Sequence, residues 1–251
     1  MCRIRIAAAW VLAFASVSAL SGAPTADPSA MLVRADASHD AFPEGVIHAR
    51  VVVNERGREP AATALDLFVK GTDKSLVVFR EGKQKDRKIL TVGDHVWLIV
   101  PTASRPIPVS KTQRLMGAAS FGDIARLRFA DEYDATLRPE ESPVAESGVA
   151  TPCRVLDLKA KRAGSAYPAA VLWTGRDDGL PRRLRLSLAS GKEAKEVLFT
   201  GYGENLRIKT MEIRDLLAKG GSSVTTLAFT SYEVRPLDPK MFDPAGARTA
   251  P

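Results

Sequence analysis

Apolar residues alternate with polar ones through most of this 251-residue chain, and this period of two restricts the possible folds more than any other feature. Successive side chains of a strand point to opposite faces, so each such segment predicts a strand with one apolar face. Turn residues such as Gly82 and Gly93 separate the segments. The pattern predicts about eleven strands in one large curved antiparallel sheet or barrel. The segments are 47–53, 65–69, 76–80, 88–92, 95–100, 155–160, 169–174, 184–188, 196–202, 206–213 and 224–234.

Two segments have helical spacing instead of alternation. The first, 27–42, has Asp27 or Ser29 as its N-cap and ends before Pro43. The second, 122–132, lies between the two halves of the chain. The apolar face of the first helix would consist of Met31, Leu32 and Ala35.

The region around the second helix decides how many domains we expect. A stretch rich in proline, serine and basic residues, 101–121, precedes the helix, and a polar loop, 138–152, follows it. The simplest arrangement is one sheet with this helix and its loops inserted over one face. Two domains divided near 139–152 are the alternative, but each would then be a small sheet with open edges.

The amino terminus has the layout of a secretory signal peptide. Arg3 and Arg5 precede an uncharged apolar run, 6–20, that is followed by small residues and prolines. A retained membrane anchor is the alternative, but the run is shorter than the ~20 apolar residues of a spanning helix. We predict a signal peptide over 1–26, cleaved between about residues 19 and 26. Because both arginines leave with it, the formal net charge falls from +7 to +5.

Few residues are suited to the common catalytic and metal-binding chemistries. Two cysteines and three histidines supply too little for a disulfide framework, a zinc site or a histidine-based centre. The segment 117–122 has one residue too many before Ser120 for the turn that carries a hydrolase serine. Cys153 is expected to be a small buried residue on a strand. We therefore predict no catalytic residue, no metal and no cofactor.

The basic excess does not point to a nucleic acid. Lysines and arginines are spread over many strands, without the aromatic and basic signature of a known RNA-binding or DNA-binding module. The densest cluster is Arg182, Arg183 and Arg185. A solvated outer face is its ordinary meaning, and attraction to anionic lipid headgroups is the other.

A family resemblance gives the positive argument. In the segment 94–123 a strand with tryptophan and then proline leads through a basic loop to Met-Gly and to a Phe-x-Asp before a helix. This arrangement resembles the LolA-like family of outer-membrane lipoprotein-sorting proteins. The stretches 175–186 and 232–242 are similar to the closing strands of that family. The matching positions in the first segment are Trp97, Pro101, Arg105, Met116, Gly117, Phe121 and Asp123.

The resemblance implies both a fold and a function for residues 27–251. The fold would be mainly β (α+β): a single strongly curved antiparallel sheet, or unclosed barrel, of about eleven strands capped by short helices. An apolar cavity between sheet and lid would hold acyl chains, since each buried methylene contributes ~0.8 kcal/mol. The resemblance implies a periplasmic, non-enzymatic carrier of lipoproteins or lipids. Its partners would be an inner-membrane transporter and, transiently, the membrane surface.

Several residues are candidates for the cavity and its lid. Arg105 and Lys111, in the loop before the lid helix, are candidates for hydrogen bonds to lid carbonyls or to a lipid headgroup, and ordinary exposure to solvent is the alternative. The alternative for each apolar candidate is a place in the ordinary core. The candidates for cavity or lid contacts are Trp97, Ile99, Met116, Phe121, Trp173 and Phe199.

Two other functions stay open from the residues. One is a periplasmic hydrolase that uses the cavity as a substrate tunnel, for which His95 or Ser120 would be required. The other is a non-catalytic accessory subunit of a membrane exporter, with a cavity filled by its own side chains.

Overall fold

The computed structural model describes residues 27–38, 43–110, 113–120, 128–139, 143–146, 149–218 and 223–251. The predicted signal peptide, 1–26, lies outside these residues. Within the described ranges, none of the helices combines the length and the apolar character needed to traverse a bilayer.

Strands dominate the described part of the chain. In chain order they are β1 (Glu44–Asn54), β2 (Ala61–Lys70), β3 (Lys74–Phe79), β4 (Lys88–Val92), β5 (His95–Ile99), β6 (Ile107–Val109), β7 (Arg114–Met116), β8 (Ala119–Ser120), β9 (Tyr133–Leu137), β10 (Val144–Glu146), β11 (Val149–Thr151), β12 (Cys153–Ala160), β13 (Ala169–Gly175), β14 (Pro181–Ser187), β15 (Glu193–Tyr202), β16 (Ile208–Asp215) and β17 (Val224–Val234). Two α-helices accompany them in the described ranges: α1 (Pro28–Asp36) and α2 (Phe129–Glu132). Four short 3-10 helices are also present in these ranges: Gly82–Gln84, Glu204–Leu206, Pro239–Phe242 and Gly246–Arg248.

Thirteen of the described strands form one antiparallel sheet in the order β6-β5-β4-β3-β2-β1-β17-β16-β15-β14-β13-β12-β9. The first and last strands, β1 and β17, pair in the middle and join two meanders. The predicted fold class is confirmed, and each of the eleven predicted strands is present. The two additional strands, β6 and β9, are the edges. β6 contains Pro108, which is tolerated at an edge but makes the segment resemble a loop in the sequence.

The sheet is strongly curved and is not closed. A flat sheet of this size would be about 58 Å wide at the usual spacing of ~4.8 Å between strands. Instead, Asp94 in the β4–β5 turn forms an ion pair with Arg162 in the β12–β13 turn. These turns lie near opposite ends of the strand order, so the two edges curl towards each other. The chain between β6 and β9 must pass from one edge to the other, and the β7–β8 hairpin lies on this path.

Curvature gives the sheet an inner and an outer face with separate apolar clusters. The inner cluster unites residues of α1, the β7–β8 hairpin and nearly all strands of the main sheet, including Val51, Leu67, Leu172 and Phe199. The outer cluster lies on β1–β5 and is covered by the C-terminal strap, which we define as residues 235–250. Burial on both faces explains why β3 is apolar without alternation, as its sequence KSLVVF shows.

The C-terminal strap is held to the outer face at both of its ends. At the first end, Glu44 accepts hydrogen bonds from Lys70 and from the backbone N–H of Leu237. At the other end, the buried ammonium of Lys88 donates to the carbonyls of Ala247, Arg248 and Ala250. These three bonds use all three donors of the lysine. Burial lowers the pKa of Lys88, with Arg80 adding to this effect.

The helices differ in length from the expectation. Asp27 is the N-cap of α1, as predicted, and its side chain accepts from the N–H of Ser29 at 3.0 Å. The prediction that this helix continues to 42 is wrong, because it ends at Asp36, whose buried carboxylate has a separate function. It accepts the N–H groups of Phe129 and Ala130, both at 2.8 Å, and so caps α2. α2 is a single turn; 121–127 lie outside the described residues.

Candidate functional site

The inner face of the sheet is a continuous apolar surface. Alternation places every second residue of the long strands on it, for example Leu184 and Leu186 of β14 beside Val197 and Phe199 of β15. Phe199 is completely buried and meets Phe129 edge to face, with 6.5 Å between the ring centroids. Apolar burial of this extent over both halves of the sheet is the main chemical property of the site.

The β7–β8 hairpin covers this surface above the seam between β1 and β17. Gly117, at its turn, has a φ of +52° and lies directly against Val53 of β1 and Thr225 of β17. The N–H of Ala118 donates to the Thr225 hydroxyl at 2.8 Å. Met116 is half-buried against the inner cluster. A side chain at position 117 would collide with the seam, so only glycine lets the hairpin lie this close.

A buried lysine meets the end of the same hairpin. The Lys195 ammonium donates to the Ser120 hydroxyl at 3.1 Å and lies 6.0 Å from the centroid of the Tyr167 ring. Lys195 shares the inner face of β15 with Val197 and Phe199, and only 9% of the residue is exposed. A charged group in this apolar setting ties the hairpin to the far half of the sheet.

A second cation lies at the opposite end of the inner face, where β13 ends and β14 begins. Arg182 donates to the carboxylate of Asp178, and its guanidinium carbon lies 4.9 Å from the centroid of the Tyr202 ring. Burial alone would lower the pKa of Arg182, but the hydrogen bond with Asp178 and the nearby Tyr202 together outweigh it. The pKa is therefore raised and the guanidinium is charged. Arg34 of α1 donates to the Asp178 carbonyl at 3.1 Å and so connects the helix to this end.

The structure brings only some of the predicted site residues to the inner face. Met116 and Phe199 belong to the inner cluster. Trp97 and Ile99 pack instead in the outer cluster beneath the C-terminal strap, so their expected contact with the cavity is wrong. The cause is that β5 is apolar on both faces, with Val96 turned inwards. Periodicity does not distinguish the two faces of such a strand.

Trp173 also faces away from the inner cluster. It alternates with the inner residue Leu172, and the guanidinium carbons of Arg183 and Arg185 lie 5.6 and 5.8 Å from its ring centroid. Its expected cavity contact is therefore wrong, and the arginine side chains cover it on the outer face. Arg105 is exposed in the β5–β6 loop. The other two candidates, Phe121 and Lys111, lie outside the described residues.

The groups named for a hydrolase are not brought together. His95 is exposed beside Trp97 on the outer face, whereas Ser120 is buried on the inner side in contact with Lys195. In the described ranges, no group of three or more His, Cys, Asp and Glu side chains has an arrangement that could hold a metal ion. Cys153 is completely buried on β12, as predicted, and burial raises the pKa of its thiol.

Lys195 and Arg182 were not predicted as site residues. Each nevertheless stands at a position where the alternation of its strand predicts an apolar residue. Lys195 is two residues before Val197 in β15, and Arg182 is two residues before Leu184 in β14. A charged residue at a position where alternation predicts an apolar one is unusual, and this exception can be recognised in the sequence.

A curved, unclosed antiparallel sheet with an apolar inner face crossed by a connecting hairpin defines the LolA-like class of folds. Three crystal structures agree with it. A LolA superfamily protein from Nitrosomonas europaea is 22% identical, with a TM-score of 0.76 over 86% of this chain and 98% of that one. A putative outer membrane lipoprotein-sorting protein domain from Vibrio parahaemolyticus is 15% identical, with a TM-score of 0.72 over 88% and 98%. A DUF1329 family protein from Desulfovibrio piger is 22% identical, with a TM-score of 0.73 over 86% and 96%.

The family follows from the sequence match. Residues 71–246 match the model of a family described as "-like: Uncharacterized protein", and the chain belongs to this family. No curated protein matches the chain. The resemblance to the LolA-like family is confirmed by the structural matches.

Proposed function

We propose that the protein is a periplasmic carrier that holds the acyl chains of lipoproteins or lipids against the inner face of its sheet. The observation that carries this proposal is the β7–β8 hairpin lying across an apolar surface that is continuous over both halves of the sheet. The similarity to a putative lipoprotein-sorting domain supports the same cargo class. The predicted signal peptide supports export.

Burial of methylene groups supplies the affinity in this proposal. Each methylene removed from water contributes ~0.8 kcal/mol, so ten of them supply roughly 8 kcal/mol in the ideal limit. Part of this energy offsets the displacement of the β7–β8 hairpin from the inner face. The hairpin is suited to move, because two strands of three and two residues are not stable without the surface beneath them. Cargo would replace the hairpin's apolar contacts with its own.

Release requires that the loaded state is not too stable. A hairpin that returns to the seam through the Ala118–Thr225 hydrogen bond competes with the cargo for the same surface. In this proposal the cargo passes onwards to the outer membrane, after loading at an inner-membrane transporter and with transient contacts at membrane surfaces. The protein uses no cofactor and carries out no reaction.

Acyl binding can be measured directly on the purified chain. Lipid extraction followed by mass spectrometry should identify an acyl ligand, and a fluorescent fatty-acid probe should bind and be displaced by unlabelled fatty acid. Met116→Gln removes the hairpin's own apolar contact with the inner face, which competes with the cargo, and should tighten probe binding about threefold to tenfold, for a gain of roughly 1 kcal/mol. The matched control is Val234→Gln, because Val234 is 69% exposed at the end of β17.

A protein that carries no acyl ligand and leaves the fluorescence of the probe unchanged is not an acyl carrier. An unchanged probe affinity of Met116→Gln would place the probe somewhere other than beneath the hairpin.

A further inference from the structure

Two buried polar groups at the β13–β14 end of the inner face lack hydrogen-bond partners among the described residues. They are Nη1 of Arg182 and the hydroxyl oxygen of Thr174. Thr174 is completely buried, and the Arg182 side chain is 11% exposed. Buried donors without acceptors destabilise a fold and are uncommon, so a pair of them on neighbouring strands requires an explanation.

A β-bulge places Arg182 on the strand next to Thr174. Trp173 pairs with Arg183 and Thr174 pairs with Pro181, so Arg182 is the extra residue of the bulge. The Arg182 guanidinium lies over the ring of Tyr202, which packs against the inner cluster, and Thr174 shares the inner face of β13 with Leu172. Both side chains therefore lie at the border of the apolar inner surface. Bulges are often found where a strand directs a side chain towards a site.

The orientation of the guanidinium is fixed by its other contacts. Asp178 accepts from Nη2, and the ring of Tyr202 lies 4.9 Å from the guanidinium carbon. Tyr202 itself packs against the inner cluster. Nη1 has no acceptor in the described part of the chain, and Thr174 lies on the adjacent strand opposite Pro181, the residue before Arg182.

We propose that Arg182 and Thr174 bind the anionic head group of a single-chain lipid, a carboxylate or a phosphate, whose acyl tail lies along the inner cluster. Both groups donate hydrogen bonds, and a charged guanidinium is well matched to the oxygens of either anion. The inference rests on the proposed function and narrows its substrate class to acyl chains that end in a negative charge. Without a ligand the two buried donors are unpaired, which is unfavourable. An anion accepts strong hydrogen bonds from both of them, whereas a neutral ester accepts weaker ones, so the protein should prefer the anion.

Three ligands with the same tail test this assignment: oleate, oleyl phosphate and methyl oleate. The wild-type chain should bind at least one of the two anions about tenfold or more tightly than the neutral ester, as expected for hydrogen bonds to a charged group. Arg182→Gln should remove this preference while leaving the affinity for methyl oleate unchanged. Arg183→Gln is the matched control, because Arg183 is the next residue on the strand and faces outwards over Trp173. The anion that binds more tightly identifies the head group.

A second variant keeps the test independent of folding. Thr174→Val replaces the hydroxyl by a methyl group of similar size, so it removes an unpaired buried group and should not lower the melting temperature. It should nevertheless reduce the preference for the anion. Equal affinities of the wild-type chain for all three ligands would overturn the head-group site and leave the proposed function intact. Absence of binding by all three would contradict the proposed function itself.

Discussion

Replacing Gly117 by alanine should destabilise the protein far more than the same replacement at Gly93. Both glycines have positive φ, +52° and +57°, so alanine at either position has a backbone strain of about 1 kcal/mol. At Gly93 a Cβ has no atom within 4 Å. At Gly117 it would lie 2.6 Å from Cγ1 of Val53 and closer still to the Thr225 hydroxyl. Overpacking of this kind adds ~1–3 kcal/mol.

A further loss follows if the hairpin moves to relieve the contact. The N–H of Ala118 would then leave the Thr225 hydroxyl, a completely buried group, at a cost of about 1–2 kcal/mol. We expect Gly117→Ala to lower the free energy of unfolding by ~3–5 kcal/mol and Gly93→Ala by ~1 kcal/mol. Urea unfolding at 25 °C of the two variants and the wild type measures the difference. Equal losses would show that the hairpin is not held against the seam between β1 and β17.

Two further predictions concern the C-terminal strap. Lys88→Met should lower the free energy of unfolding by about 2–3 kcal/mol, because three carbonyls lose a charged donor; unchanged urea unfolding and unchanged proteolysis of the C terminus would contradict it. Glu44 has its pKa lowered from 4.5, chiefly by the hydrogen bond from Lys70. Its contribution is therefore present above that value and is lost as the pH falls through the lower folded-state pKa. Urea midpoints at about pH 6 and about pH 3 should differ more in the wild type than in Glu44→Gln, and equal differences would exclude this contribution.

Alternation identified the strands but could not assign the faces of every strand. In β14 the alternate residues are apolar on one face and charged on the other. The sequence alone therefore predicts that Leu184 faces inwards and Arg183 outwards. In β5 the alternate residues are apolar on both faces, so the sequence does not show that Trp97 lies on the outer face. The missing information was the C-terminal strap, which lies more than a hundred residues away in the chain and converts the outer face of β1–β5 into a second core.

The polar part of the candidate site depends on long-range geometry. The sequence shows Arg182 two residues before Leu184, but not that a bulge places it on the strand next to Thr174. It also cannot show that Lys195 meets Ser120, because that contact joins β15 to a hairpin 75 residues earlier in the chain. Such contacts depend on which strands become neighbours after folding.

Local periodicity and short motifs are enough to predict the strand content, the antiparallel meander and the resemblance to LolA-like proteins. The folded chain is needed to show that β1 and β17 pair in the middle of the sheet, that the hairpin lies over them, and which apolar residues face inwards. The physical reason is that alternation is a property of one strand, whereas a face becomes inner or outer only when the sheet curves and another segment covers it.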